Sequence, residues 1–358
     1  MATLDDLPLR SDLVGKKPYG APQDPVPVSL NVNENTHPIP EEVAIDIVSS
    51  LAKAVVGANR YPDRDFVELR RSLAGYLGHG LTEKNLWAAN GSNEVLQQVM
   101  QAFGGPGRSV LSFVSTYSMY PLLADGTGTE WIPVQRDERY ELSAETAVAA
   151  VREHQPSITI LCSPNNPTGT PVSLDVIREL YDATDGILVV DEAYAEFAAY
   201  GFESALSLLP GRERLLVSRT MSKAFAFAGV RLGYLAADPA VVDALTLVRL
   251  PYHLSALTQA AGIAALRHAD RMLATVDDIR AERNRIAERL TELGYDVYRS
   301  ESNFVLFGGV TDPNATFEAL RAQGILIRDV GIPGHLRVSA GTHEETGVFL
   351  DAIAKLPR

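Results

Sequence analysis

The segment GILVVDEAY, residues 186–194, constrains this chain more than any other. Its apolar run has no polar alternation and ends on Asp191. Such a run suits a strand buried on both faces, as in a parallel sheet covered by helices. Four more segments read as strands: SVLSFV (109–114), TEWIPV (129–134), SITILC (157–162) and RLLVSR (214–219). The amphipathic stretches NEVLQQVMQAF, SAETAVAAVREH and SLDVIRELYDAT lie between them. The spacing is that of repeated β–α units and predicts an α/β fold with a mostly parallel sheet.

The flanks read differently. Residues 1–40 include KKPYGAPQDPVPV, dense in proline and turn formers, and read as an extended arm. A helix is expected from Pro40, with EEVAIDIVSSLAKAV repeating apolar residues at three and four. From Ser255 to Gly294 breakers almost vanish, which predicts one long helix with room for a kink. NFVLF, ILIRD and LRVSA then read as short strands among two further helices. The expected division is an N-terminal arm over 1–40, a large domain over 41–250, and a small C-terminal domain over 251–358 that opens with the long helix.

Bulk charge and residue counts exclude several functions. The net charge is −13, with acidic residues spread along the chain. Nucleic acid is not an expected partner, because phosphate backbones need basic patches. The one cysteine, Cys162, cannot form an internal disulfide. No run of about 18 apolar residues could span a membrane, and the first residues show no apolar signal core. A cytoplasmic location is expected. The seven histidines are scattered without metal-ligand spacing, so no metal is expected.

Four motifs carry chemistry. Asp191 closes its strand at the edge where parallel sheets bind ligands. A carboxylate there is costly unless it meets a cation; capping a helix is its other reading. Tyr194 places a phenol nearby. SPNNPTG (163–169) turns the chain after SITILC and can be a plain connection. Asn90-Gly91-Ser92 opens a helix that Ser92 or Asn93 can cap, and free N–H groups there can hold an anion. The nearby FGGPGRSV lacks a Gly-Lys-Ser/Thr ending and reads as a turn. SRTMSKAFAFAGVRLGY (218–234) supplies the hydroxyls of Thr220 and Ser222, a phosphate fork in Arg231 and the amine of Lys223. Apolar walls and fixed cations lower a lysine's pKa and make it a nucleophile toward a carbonyl. Each motif alone has an ordinary structural reading. Together they meet the needs of pyridoxal 5'-phosphate: a phosphate, a ring nitrogen kept protonated, a ring oxygen and an aldehyde to be held.

With these motifs the chain resembles the fold-type I aminotransferases nearly end to end. The resemblance implies a mostly parallel seven-stranded sheet flanked by helices, plus a smaller α+β C-terminal domain. It implies that Lys223 holds the cofactor covalently and that Asp191 pairs with the ring nitrogen. Tyr194 and Asn166 would bind the ring oxygen. Ser222, Arg231 and the Gly91-Ser92-Asn93 turn would hold the phosphate, with Thr220 beside them. Tyr117 in STYSMY would stack on the ring. Tyr61 in NRYPD would reach the cofactor phosphate of the other subunit, which implies a homodimer.

Within that family, KKPYGAPQ (16–23), LNVNENTHP (30–38), LPYHLS (250–255), ILIRD (325–329) and LRVSAG (336–341) look like the histidinol-phosphate aminotransferases. This implies histidinol phosphate and glutamate or 2-oxoglutarate as substrates. Tyr19, Asn33, Tyr252, Arg328 and Arg337 would line the substrate site. Arg328 and Arg337 would take the substrate phosphate and also the carboxylates of glutamate. Ala226-Phe227 stands where relatives often carry Gly-Leu, which changes bulk near Lys223. Three alternatives stay open: an aromatic-amino-acid aminotransferase, a decarboxylase of a phosphorylated amino acid using the same cofactor, and a non-catalytic cofactor sensor. The acidic charge and the lack of a basic helix-turn-helix segment count against the last.

Overall fold

The apolar runs become the middle of one sheet. A computed structural model describes residues 3–16 and 20–357. In chain order its strands are β1 Val28–Ser29, β2 Leu86–Ala89, β3 Ser109–Val114, β4 Glu130–Gln135, β5 Ile158–Cys162 and β6 Ile187–Asp191. They continue with β7 Leu215–Thr220, β8 Gly233–Ala236, β9 Asp296–Val297, β10 Phe304–Gly308, β11 Ile325–Leu326 and β12 Leu336–Ser339. The main sheet has the order β2-β8-β7-β6-β5-β3-β4. β8 is antiparallel to both its neighbours, and the remaining pairs are parallel. β5, β6 and β7 are buried along their whole length, as unalternated strands should be.

Helices cover the sheet: α1 Glu41–Val56, α2 Val67–Leu77, α3 Ser92–Phe103, α4 Met119–Thr127, α5 Ala144–His154, α6 Leu174–Ala183 and α7 Pro239–Val248. The β–α junctions use side-chain caps. Ser143 accepts from the Thr146 N–H at the start of α5, and Ser173 from the Val176 N–H at the start of α6. Pro40 stands just ahead of α1 as its cap, one position earlier than expected.

The helix expected over 255–294 is broken into α8 Ala256–Arg267, α9 Ala269–Met272 and α10 Val276–Glu292. The two long pieces serve different cores. Ala261, Ala264 and Ala265 of α8 pack with the main-sheet core, whereas Ile279, Ile286 and Leu290 of α10 join a second core. Periodicity announces a helix but not which core its apolar stripe must meet, and the helix is interrupted at His268 and again over 273–275 between the pieces that serve the two cores. The second core is completed by α11 Pro313–Arg321, α12 His343–Ile353 and the antiparallel sheet β12-β10-β9.

The arm is built into that second core from Val28 onward. β1 pairs in parallel with β11, and Val28 and Leu30 are buried. The arm then continues through Asn31–Asn35 toward the turn after β7, where the Asn35 side chain donates to the Ala224 carbonyl. This places the arm against the edge of the main sheet where the sequence motifs cluster.

Candidate active site

A cavity of about 470 Å³ opens at the carboxyl ends of β3, β5, β6 and β7. It lies where β3 and β5 sit side by side although β4 intervenes in sequence, the switch point at which open α/β sheets bind ligands.

Asp191 ends β6 and does not cap a helix. The β6–β7 register puts Ser218 beside it, and the Ser218 hydroxyl donates to Oδ1 at 2.9 Å. The Tyr120 hydroxyl donates to Oδ2 at 2.8 Å. Burial pushes the Asp191 carboxyl above the usual carboxylate range, and these two hydroxyls oppose that shift. Arg219, close by, pairs instead with Glu192 at 2.8 Å and Glu196 at 3.0 Å. A buried carboxylate thus lines the cavity with no ion-pair partner among the described residues.

Lys223 follows β7 in the turn Met221–Phe227. Its Nζ donates to the Val32 carbonyl at 2.9 Å. Burial, then the charge of Arg337, lowers its amine to about 8; Glu34 opposes this and Arg231 adds to it. Tyr194 accepts at its hydroxyl from the side-chain amides of Asn33 (3.0 Å) and Asn166 (3.1 Å). Its own proton is therefore left to donate. Arg337 donates to Asn166 Oδ1 at 2.6 Å and to the Asn31 carbonyl at 2.7 Å. Arg328 is paired to Arg337 through the backbone, and both line the cavity.

Two glycines make room for an anion cradle. Gly91 adopts φ 86°, ψ 162°, a region essentially restricted to glycine, just before α3. A Cβ on Gly91 would lie 2.4 Å from Arg231 Nη2, and one on Gly233 would lie 2.1 Å from the Ser92 nitrogen. The close approach brings the start of α3, with Ser92 and Asn93, beside Arg231, Ser222 and Thr220 at the cavity wall. Arg231 itself is left-handed (φ 59°), and its Nη1 donates to Ser222 Oγ at 3.5 Å. Tyr117 donates to Asn93 Oδ1 at 3.2 Å and also lines the cavity.

The aminotransferase class I and II family model matches residues 25–353. The chain belongs to the class I and II aminotransferases. Its sequence is 59% identical to histidinol-phosphate aminotransferase of Paenarthrobacter aurescens, over 99% of this chain and 96% of that one. It is 56% identical to histidinol-phosphate aminotransferase of Thermobifida fusca, over 98% and 96% of the two chains. The fold matches the structure of histidinol-phosphate aminotransferase from Sinorhizobium meliloti in complex with pyridoxal-5'-phosphate. That match has TM-score 0.82 and 23% identity, over 92% of this chain and 90% of that one.

Not every expected site residue of this aminotransferase reaches its own cavity. Tyr61 and Tyr252 are exposed, and their rings stack on each other with centroids 4.5 Å apart. Neither lines the cavity of this chain, although Tyr252 is expected at the substrate site. Tyr252 has a left-handed backbone (φ 59°), and its ring packs on Tyr61 at the outer surface. Tyr19 lies outside the described residues. Ala226 and Phe227 do not line the cavity either, so they do not narrow it. Phe227 is buried in the main core, and Ala226 adopts φ 52°, a conformation that glycine takes at less cost.

Three participants escaped the sequence reading. Tyr120 and Ser218 hold Asp191, and the Val32 carbonyl holds Lys223. Tyr120 follows Tyr117 by three positions in STYSMY, one helical turn, and looks like core. Ser218 shares a strand face with Thr220, which is the signal that could have found it. A backbone carbonyl leaves no trace in residue type.

Proposed function

We propose that this aminotransferase interconverts histidinol phosphate plus 2-oxoglutarate with imidazole-acetol phosphate plus glutamate, using pyridoxal 5'-phosphate. The observation that carries the reading is convergence. A low-pKa lysine, a buried carboxylate without a cation, an anion cradle and two arginines share one cavity. The close identity to histidinol-phosphate aminotransferases supports the substrate.

The residues present fit the cofactor. The unmatched Asp191 carboxylate suits a protonated ring nitrogen, and the cradle that a Cβ on Gly91 would fill suits a phosphate. Tyr194, with Asn166, presents a hydroxyl to the ring oxygen. Tyr117 supplies a flat wall. When bound, the cofactor provides an electron sink for the substrate carbon that loses a proton. Lys223 would hold the cofactor's aldehyde carbon at Nζ until a substrate amine takes its place. Freed, Nζ would be the base that takes the proton from the substrate carbon and the acid that delivers it to the former aldehyde carbon. A pKa of about 8 leaves enough free amine for this near neutrality. Asp191 would keep the ring nitrogen protonated. Arg328 and Arg337 receive the substrate phosphate in one half-reaction and a glutamate carboxylate in the other.

We further propose a homodimer in the cytoplasm. Tyr61 and Tyr252 stand outside their own cavity as one exposed stacked pair, suited to entering the cavity of a partner subunit. Val55 and Val56 before Tyr61, and Leu247 and Leu250 before Tyr252, are also exposed. No helix among the described residues is long and apolar enough to cross a membrane. The test of the function is direct. Purified protein loaded with cofactor should form glutamate from histidinol phosphate and 2-oxoglutarate, and Lys223→Ala should abolish it. Normal turnover by Lys223→Ala would end the reading.

A further inference from the structure

Behind the cavity wall, Tyr120 makes a contact with Asp191 that the roles above do not use. This α4 side chain is fully buried, and its hydroxyl donates to Asp191 Oδ2 at 2.8 Å. Its ring meets the Tyr117 ring edge-on, with centroids 5.5 Å apart at 87°. One residue thus touches both the carboxylate read as the ring-nitrogen partner and the aromatic read as the stacking wall.

We infer that Tyr120 is a positioning residue that fixes the Asp191 carboxylate and braces Tyr117, so that the cofactor ring enters a slot already set on two sides. The inference rests on the reading of this cavity as a pyridoxal phosphate site. The groups around Asp191 show why one hydroxyl matters. Cys162 faces it from β5, Ser218 from β7 and Tyr120 from α4, with Glu192 next in the chain. Arg219 is taken up by Glu192 and Glu196, and Arg136 acts on Cys162 and Tyr120. The two hydroxyl donors, with the Ala193 N–H, oppose burial and the Glu192 charge at this carboxylate. A charge-assisted bond of this kind is among the strong ones. If Tyr120 is lost, Asp191 takes up a proton at higher pH. A protonated Asp191 must give that proton up before it can pair with a protonated ring nitrogen. Cofactor affinity then falls about tenfold for each pH unit below the new midpoint.

The experiment compares cofactor affinity against pH for the apoenzyme of the wild type and of Tyr120→Phe, read by visible absorbance of the bound cofactor. Tyr120→Phe should move the pH at which affinity begins to fall upward by about one to two units. It should also lower kcat while leaving KM for the amino substrate near the wild-type value. Tyr234→Phe is the control, because it deletes another buried phenol whose hydroxyl has no hydrogen-bond partner among the described residues; its curve should match wild type. A Tyr120→Phe curve superposed on wild type, or a Tyr234→Phe curve moved as far, overturns the inference. Should Tyr120→Phe not fold, Ser218→Ala removes the other hydroxyl donor and should move the curve the same way. An unmoved Ser218→Ala curve would overturn hydroxyl control of Asp191. A wild-type protein that binds no pyridoxal phosphate at any pH would instead sink the cofactor-site reading, and this inference with it.

Discussion

Gly91→Ala separates the cost of backbone strain from the loss of an anion contact. At φ 86°, ψ 162° an alanine adopts a region essentially closed to side chains, at about 1–3 kcal/mol. That cost falls on the folded apoenzyme and should show as a lower Tm. The new Cβ would also stand 2.4 Å from Arg231 Nη2, well inside contact, so the guanidinium must swing away from the start of α3. Losing a hydrogen bond to a charged group costs about 1.5–3 kcal/mol, roughly ten- to a hundredfold in affinity. This second cost should appear only for a ligand that carries the phosphate. The assay titrates wild-type and Gly91→Ala apoenzymes with pyridoxal 5'-phosphate and, separately, with pyridoxal. Affinity for the phosphorylated form should drop about ten- to a hundredfold, while that for pyridoxal stays near wild type. Equal losses for both ligands, or none for either, would refute the assignment of the Gly91–Arg231 contact to the phosphate.

Three further outcomes are expected. Asp191→Ala, which would strip the ring nitrogen of its proposed partner, should cost about 3–5 kcal/mol in the rate of the half-reaction with amine; a loss under tenfold in stopped-flow traces would contradict that role. The lowered Lys223 pKa means that the free amine, and hence the rate of cofactor capture by apoenzyme, should rise with pH and level off above about 8; a rate still climbing toward the ordinary lysine range would show an unshifted amine. Val56→Asp combined with Leu250→Asp should turn a dimer into a monomer in sedimentation equilibrium, because both side chains are exposed apolar surface beside the Tyr61–Tyr252 stack in sequence; an unchanged mass would place the interface elsewhere.

The middle of the sheet was legible because β5, β6 and β7 are buried on both faces and so carry unbroken apolar runs. β2 (LWAA) and β8 (GYLA) were not, since four small or mixed residues make no periodic signal; the seven-strand sheet was expected only from the resemblance. The break between α8 and α10 was hidden because one helical period fits either core. In the site, Lys223, Asp191 and Arg231 stood out as charges in apolar or small-residue company, which folding tolerates only for a reason. Tyr120 did not, because a buried aromatic on a helix is ordinary packing until its hydroxyl is seen to meet a carboxylate. Tyr61 and Tyr252 show a different limit. Residue type does not say whether a tyrosine faces its own cavity, and both rings lie on the outer surface. Ala226 was read as bulk near the lysine, and the structure makes it a matter of backbone conformation instead.

The most direct measurement of the central claim is a set of single-turnover spectra. Cofactor-loaded protein is mixed in parallel with histidinol phosphate, phenylalanine and phosphothreonine, without an oxo-acid acceptor. Histidinol phosphate should bleach the visible band of the bound cofactor fastest, because in the proposed roles its phosphate would meet Arg328 and Arg337 while its amine would displace Lys223. Fast bleaching by phenylalanine alone would contradict it.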